Sequence, residues 1–221
     1  KNRILQVLGK ECEVRGTDAT GIAYNFSGSI KVFKRPLAAH KLKFHVPNGV
    51  HVVMGHTRLT TQGRPADNFN NHPWSTGTFA LAHNGVLWND RDLRQTENLP
   101  DTRIQTDSYV AVQLLEQQKT LDFTTISTMA EKIQGSFVFT VLDRDDNLYF
   151  VRGDNPLAIF DFGGFYLYAS TEEILRRAMC KLRLHHREEI HTEEGDILKI
   201  DRAGQCSFGH FNPNHSMEHF W

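Results

Sequence analysis

The chain has 221 residues, a formal net charge of −1, 39% hydrophobic and 23% charged residues. That is enough apolar content for one buried core, and the scattered Lys and Arg leave no electrostatic footprint for nucleic acid or an anionic membrane. No apolar run approaches the ~20 residues of a membrane-spanning helix, no signal peptide is visible, and Cys12, Cys180 and Cys206 have no CxxC spacing, so reduced thiols in a cytoplasmic protein are expected.

Residues 3–13 place Ile4, Leu5, Leu8 and Cys12 at helical spacing. Residues 21–26 and 29–34, joined across Ser27-Gly28, read as a β-hairpin. Strands are predicted at 50–55 and 79–83, then a short helix at 89–95 behind Asn89-Asp90, and longer helices at 107–118 (behind Thr106) and 124–134. After Gly135 the pattern turns to strands at 136–142, 147–151, 156–161 and 165–169, a helix at 171–180, and strands near 196–200 and 205–208. The tail from Pro213 to Trp221 reads as irregular. No linker, repeat or low-complexity segment divides the chain, so residues 1–221 are expected to form a single domain, α+β, with mainly antiparallel sheets covered by helices.

Four segments put polar groups at strand ends. In RGTDATGIA (15–23), Arg15 and Asp18 read either as a local ion pair or as part of a site. In GHTRLTTQG (55–63), Arg58 follows an apolar strand, where its planar fork could hold a carboxylate or simply face solvent. In LAHNGVLWN (81–89), Asn84-Gly85 reads as a turn, or as two donors presented by an amide side chain and a bare backbone N–H. In QTDSYVAV (105–112), Asp107 could complement a helix dipole or meet a ligand cation. Together they suit one ligand type. Arg58 would take an α-carboxylate, Asp107 an α-ammonium, and Asn84 and Gly85 an oxyanion, as for an amino acid whose side-chain carbonyl is attacked.

The ordered set RG-x-D-x-x-GIA, GHTR-x-x-T-x-G, N-x-HPW (Asn70, His72, Pro73, Trp74), AHNG-x-x-x-N, TDS, G-S-F (135–137) and EGD (194–196) resembles the class II glutamine amidotransferase domain. This is the N-terminal-nucleophile glutaminase of glucosamine-6-phosphate synthase and amidophosphoribosyltransferase, and the HPW segment and the threonines after Arg58 look closer to the former. The resemblance runs from Arg15 to about Asp201. It implies a four-layer αββα sandwich and a glutaminase that passes ammonia to an acceptor. It also implies Arg58 and Asp107 as binders of L-glutamine, Asn84 and Gly85 as the oxyanion hole, Thr61 and His72 as pocket residues, and Arg15 as a structural arginine near the nucleophile. No cofactor is implied, and the 12 histidines show no metal-ligand spacing.

The family's nucleophile is an N-terminal Cys, and Lys1-Asn2-Arg3 falls within the first helix. A Cys-Gly strand upstream of Lys1 is therefore expected, and without it the domain would only bind glutamine or a partner. Cys12, on the apolar face of its helix, reads as a buried thiol. The acceptor is expected in a partner subunit or a C-terminal portion. The sequons at Asn25 and Asn214 and the tripeptide Arg152-Gly153-Asp154 need a secretory context, and are given no role.

Overall fold

Periods of two and of 3.6 alternate along the chain and set its elements. The computed structural model describes residues 1–215. Helix α1 (Asn2–Glu11) carries the Ile4, Leu5, Leu8 stripe and tightens into a 3-10 turn at Cys12–Arg15. Strands β1 (Ala19–Phe26) and β2 (Ser29–Arg35) form the expected hairpin, closed by Ser27 and Gly28 at positive φ. Strand β3 (Val53–Arg58) pairs with the other edge of β1. It starts and ends three residues later than the apolar run suggests, because the register Ala19↔Arg58 to Tyr24↔Val53 holds His56, Thr57 and Arg58 in the ladder.

There follow β4 (Trp74–Ser75), β5 (Phe79–Leu87), α2 (Asp90–Thr96), α3 (Tyr109–Glu116) and α4 (Phe123–Lys132). The chain continues as β6 (Gly135–Asp143), β7 (Leu148–Arg152), β8 (Ala158–Asp161), β9 (Tyr166–Ala169), α5 (Glu172–Leu182), β10 (Glu188–Ile190), β11 (Asp196–Ile200) and β12 (Cys206–His210). The tail expected from Pro213 is irregular as far as His215; its remainder, with His219, lies outside the described residues.

All pairings are antiparallel. One sheet has the order β12-β11-β7-β6-β5-β4, and two three-stranded sheets have the orders β2-β1-β3 and β10-β8-β9. Side-chain alternation then sorts the layers. Ala23 and Met54 from one small sheet and Ile159 and Tyr168 from the other pack on Ala80, Ala82, Leu142 and Phe150 of the large sheet. The opposite face of the large sheet (Leu81, Phe139, Val141, Val151) packs on α2, α3 and α4 through Leu93, Val110, Leu114 and Ile126. The outer faces of the small sheets are covered by α1 and α5: Leu5 meets the cluster of Ile22, and Ile4 and Leu8 meet that of Phe160, Leu167 and Ile174. The result is the expected αββα sandwich.

Candidate active site

The strand ends named in the sequence converge at one end of the sandwich. Gly16 makes this possible: a Cβ there would lie 2.2 Å from the Arg58 carbonyl carbon and the Leu59 nitrogen, so the Arg15-Gly16 turn rests directly on the end of β3. Arg15 and Asp18 do not pair with each other among the described ion pairs. Arg15 Nη2 donates to Asn84 Oδ1 (3.3 Å), while Asp18 Oδ2 accepts from the Thr60 N–H (2.9 Å) and its own N–H donates to the Arg58 carbonyl.

The Asn84-Gly85 pair is not a turn. β5 runs straight through it, with Asn84 opposite Val138 and Gly85 opposite Phe137. Gly85 has φ of 140°, and a Cβ there would fall 1.8 Å from the Ser136 carbonyl oxygen, so the backbone admits only glycine. Because Arg15 donates to the Asn84 oxygen, the amide NH2 faces the other way. That Asn84 Nδ2 is buried and has no hydrogen-bond partner among the described residues, a state that costs about 1–3 kcal/mol.

Arg58 is 2% exposed and Asp107 1%. The guanidinium donates from Nη1 to Asn71 Oδ1 (2.7 Å) and from Nη2 to the Gln62 and Gly63 carbonyls. Burial pulls its pKa down, opposed by the Asp18 and Asp107 carboxylates. Asp107 Oδ2 accepts from the Leu87 N–H (2.6 Å), and Oδ1 accepts from Ser108 Oγ (3.2 Å), which also contacts His83 Nδ1 (2.6 Å). Thr106 Oγ1, which the sequence offered as the cap, donates instead to the Asn70 carbonyl (3.4 Å), and α3 begins later than predicted, with no side-chain cap bond.

Three imidazoles back the site. His72 packs between His56 (4.2 Å between centroids) and Trp74 (4.1 Å) with the rings tilted, both its ring nitrogens are unpartnered among the described residues, and His56 Nε2 bonds the His83 carbonyl (2.8 Å). Burial pushes His56 down to about 3 and His83 down to about 4, with Asp107 partly opposing the shift at His83. His72 is held well below the usual range by burial and by its neighbours His56 and His83. Thr61 is exposed on the turn after Arg58.

A cavity of about 140 Å³ runs beside these groups. It lies between the edge strands β3 and β9, with Gly55, Thr57, Tyr168 and Ala169 on its sides, Ala82, His83, Asn84 and Val138 on its floor, and Leu5, Leu8 and Cys12 of the α1 segment above. The Gly55 N–H donates across it to Tyr168 Oη (3.1 Å). Arg15 and Asn84 line it, whereas Arg58, Thr61, His72, Gly85 and Asp107 do not. The Cys12 thiol is pushed up to about 12 by burial and by Glu11, an inert state for a nucleophile. Among the described residues no three His, Cys, Asp or Glu side chains converge as a metal ion requires.

Asn71, which holds Arg58, sits inside the N-x-HPW motif beside its named members; Asn155, whose Nδ2 donates to the Asn84 carbonyl (2.8 Å), has no local signal in the sequence.

Solved structures share this architecture. The glutamine phosphoribosylpyrophosphate amidotransferase from B. subtilis superposes over 97% of this chain and 47% of its own, with TM-score 0.77 at 20% identity. A glutamine aminotransferase class-II domain protein from Silicibacter pomeroyi covers 89% of this chain and 92% of its own, with TM-score 0.58 at 14% identity. Fold and motifs together define a class II amidotransferase sandwich. Residues 56–177 match the family described as glutamine amidotransferase domain, and the chain belongs to that family. The glutamine–fructose-6-phosphate aminotransferase of Lactiplantibacillus plantarum is 31% identical over 89% of this chain and 34% of its own length, and that of Staphylococcus aureus (strain Mu50) is 32% identical over 92% and 34%. The chain thus spans about a third of the length of these curated relatives.

Proposed function

We propose that this domain hydrolyses L-glutamine to glutamate and ammonia through a γ-glutamyl thioester on an N-terminal cysteine, with ammonia passing to an acceptor on a synthase domain or subunit. The observation that carries the reading is the Asn84 amide, a buried donor without a partner among the described residues, beside a glycine backbone. Such a group is costly unless something binds it, and an oxyanion is the ligand that gains most from it.

The cysteine's own α-amine, with a reference pKa of about 8, takes the thiol proton. The thiolate attacks the side-chain carbonyl of glutamine, and the oxyanion accepts from Asn84 Nδ2 and the Gly85 N–H. Collapse breaks the C–N bond while the amine returns its proton to the leaving nitrogen, which departs as ammonia. Water attacks the thioester, the thiol is regenerated and glutamate leaves.

The cavity supports a cysteine-bearing strand. α1 runs alongside β3, with Lys1 Nζ on the Val50 carbonyl and the Cys12 carbonyl on Thr57 Oγ1. An extended segment leading into α1 and running back along the cavity would start at the Arg15–Asn84 end. Arg58 and Asp107 are the proposed partners of the substrate carboxylate and ammonium, with Thr61 and His72 near them. Two Arg58 donors remain, on Nε and Nη1. A two-pronged grip therefore requires the Gln62 and Gly63 carbonyls to release Nη2, so glutamine binding shifts the 59–63 turn.

The burial of Arg58 and Asp107 on protein partners favours a second reading, a scaffold pair in a domain that binds glutamine or a partner without turnover. Intact mass and N-terminal sequencing, followed by labelling with a glutamine analogue bearing an electrophilic side chain, separate the two. An adduct on a terminal cysteine, together with ammonia release, supports the glutaminase. Calorimetric binding of glutamine without adduct or ammonia leaves the second reading.

A further inference from the structure

The bend at 152–155 sits behind the Asn84-Gly85 peptide and grips both strands that meet there. On β6, the Gly153 N–H donates to the Phe137 carbonyl (3.0 Å), and Asp154 Oδ1 accepts from the Phe137 N–H (3.0 Å). On β5, Asn155 Nδ2 donates to the Asn84 carbonyl (2.8 Å), from a residue 71 positions away. We propose that Asn155 is a positioning residue of the glutaminase centre, its amide fixing the plane of the Asn84-Gly85 peptide and thereby the direction of the Gly85 N–H. The inference rests on the glutaminase reading above for its consequence in catalysis.

A trans peptide is planar, so the N–H of Gly85 points opposite to the carbonyl of Asn84. Whatever holds that carbonyl aims that N–H. The ladder does not do this at Gly85 itself. In an antiparallel pair a residue's N–H and C=O face the same side, and Phe137, opposite Gly85, turns both to the 153–154 bend. By the same alternation Asn84↔Val138 is the hydrogen-bonded pair, so the ladder meets the Asn84 carbonyl from β6, and Asn155 Nδ2 is a second donor to it. Glycine at φ of 140° leaves the peptide plane free to tilt about one ladder bond, and the second donor removes that freedom. Asn155 lies close enough that a Cβ on Gly85 would come within 2.6 Å of its Nδ2. The bend is tied to Phe137 twice, so it holds Asn155 in register with β6. Asn155 itself is half-buried.

The test is Asn155→Ala and Asn155→Asp in the full-length protein, the second keeping size while removing the donor. Ammonia release should show kcat lowered on the order of tenfold to a hundredfold, short of the 10²–10³ for outright loss of an oxyanion donor, with KM within about threefold. In parallel, the Gly85 amide resonance should move, and its hydrogen exchange should quicken about tenfold or more. An unchanged kcat, or an effect confined to KM, overturns the proposal. If Asn155→Ala does not fold, Asn155→Asp decides. If the wild type releases no ammonia, the glutaminase reading fails, and the Gly85 resonance decides whether Asn155 holds the peptide. An unmoved resonance overturns it.

Discussion

Asn84→Ala separates a catalytic asparagine from a structural one because its effects on stability and rate should part company. Among the described residues the amide oxygen has one partner, Arg15 Nη2 at 3.3 Å, and the amide nitrogen is buried with none. Truncation loses one long hydrogen bond, worth about 0.5–1.5 kcal/mol, and removes an unsatisfied donor whose burial costs about 1–3 kcal/mol. The balance runs from about 0.5 kcal/mol lost to about 2.5 kcal/mol gained, centred on a gain of about 1 kcal/mol. That is ~2–4 °C in Tm for a chain of this size, so no marked destabilisation is expected. The rate has no such offset: one missing oxyanion donor costs about 2.7–4 kcal/mol in the transition state, a factor of 10²–10³ in kcat. KM should change far less, since the ground-state carbonyl gains little from the donor. Thermal melts and steady-state ammonia release on one preparation give both numbers. A variant destabilised by more than about 2 kcal/mol with kcat intact would refute the reasoning and make Asn84 a scaffold residue.

Arg58→Lys and Asp107→Asn should each weaken glutamine binding by titration, since a point charge cannot reproduce the guanidinium fork and a neutral amide cannot balance an ammonium; unchanged affinity in both removes them from the substrate site. His56, His72 and His83 are all shifted down on folding, so the unfolded chain binds more protons below its ordinary value of ~6.5. The stability they confer is complete above about pH 6.5 and is lost as pH falls toward about 4 and then 3, with a slope of roughly 1.4 kcal/mol per pH unit for each histidine. Denaturant melts that are flat from pH 7 to 4.5 would contradict the buried neutral cluster. Asp122 caps α4 in a reciprocal box with Thr125, so Asp122→Ala should cost about 1 kcal/mol, or 2–4 °C in Tm, with no change in ammonia release.

Periodicity and punctuation specified most elements. The strand at 196–200 has the predicted bounds, and the Ser27-Gly28 hairpin and the helices at 89–95, 124–134 and 171–180 are displaced by only a residue or two. These elements bury one face each, and one face leaves a period in the sequence. The strands β4 and β10, of two and three residues, were missed because a segment that short has no period to read.

The candidate site divides along the same line. Residue type at strand ends was enough to pick out Arg15, Arg58, Asn84, Gly85 and Asp107, since forked, charged and amide groups next to apolar runs are chemically conspicuous. What those groups do with one another was decided by packing. Asn84-Gly85 reads locally as a turn, yet β5 continues through it because nine residues of β6 pair alongside, from Phe79↔Asp143 to Leu87↔Gly135. Arg15 reads as the partner of Asp18 three positions away, yet it meets Asn84 across 69 residues. Asn155 reaches the same peptide across 71. Local sequence records the propensity of a segment and the face it buries. Contacts closed across such separations leave no local trace, because only the tertiary fold brings their two halves together.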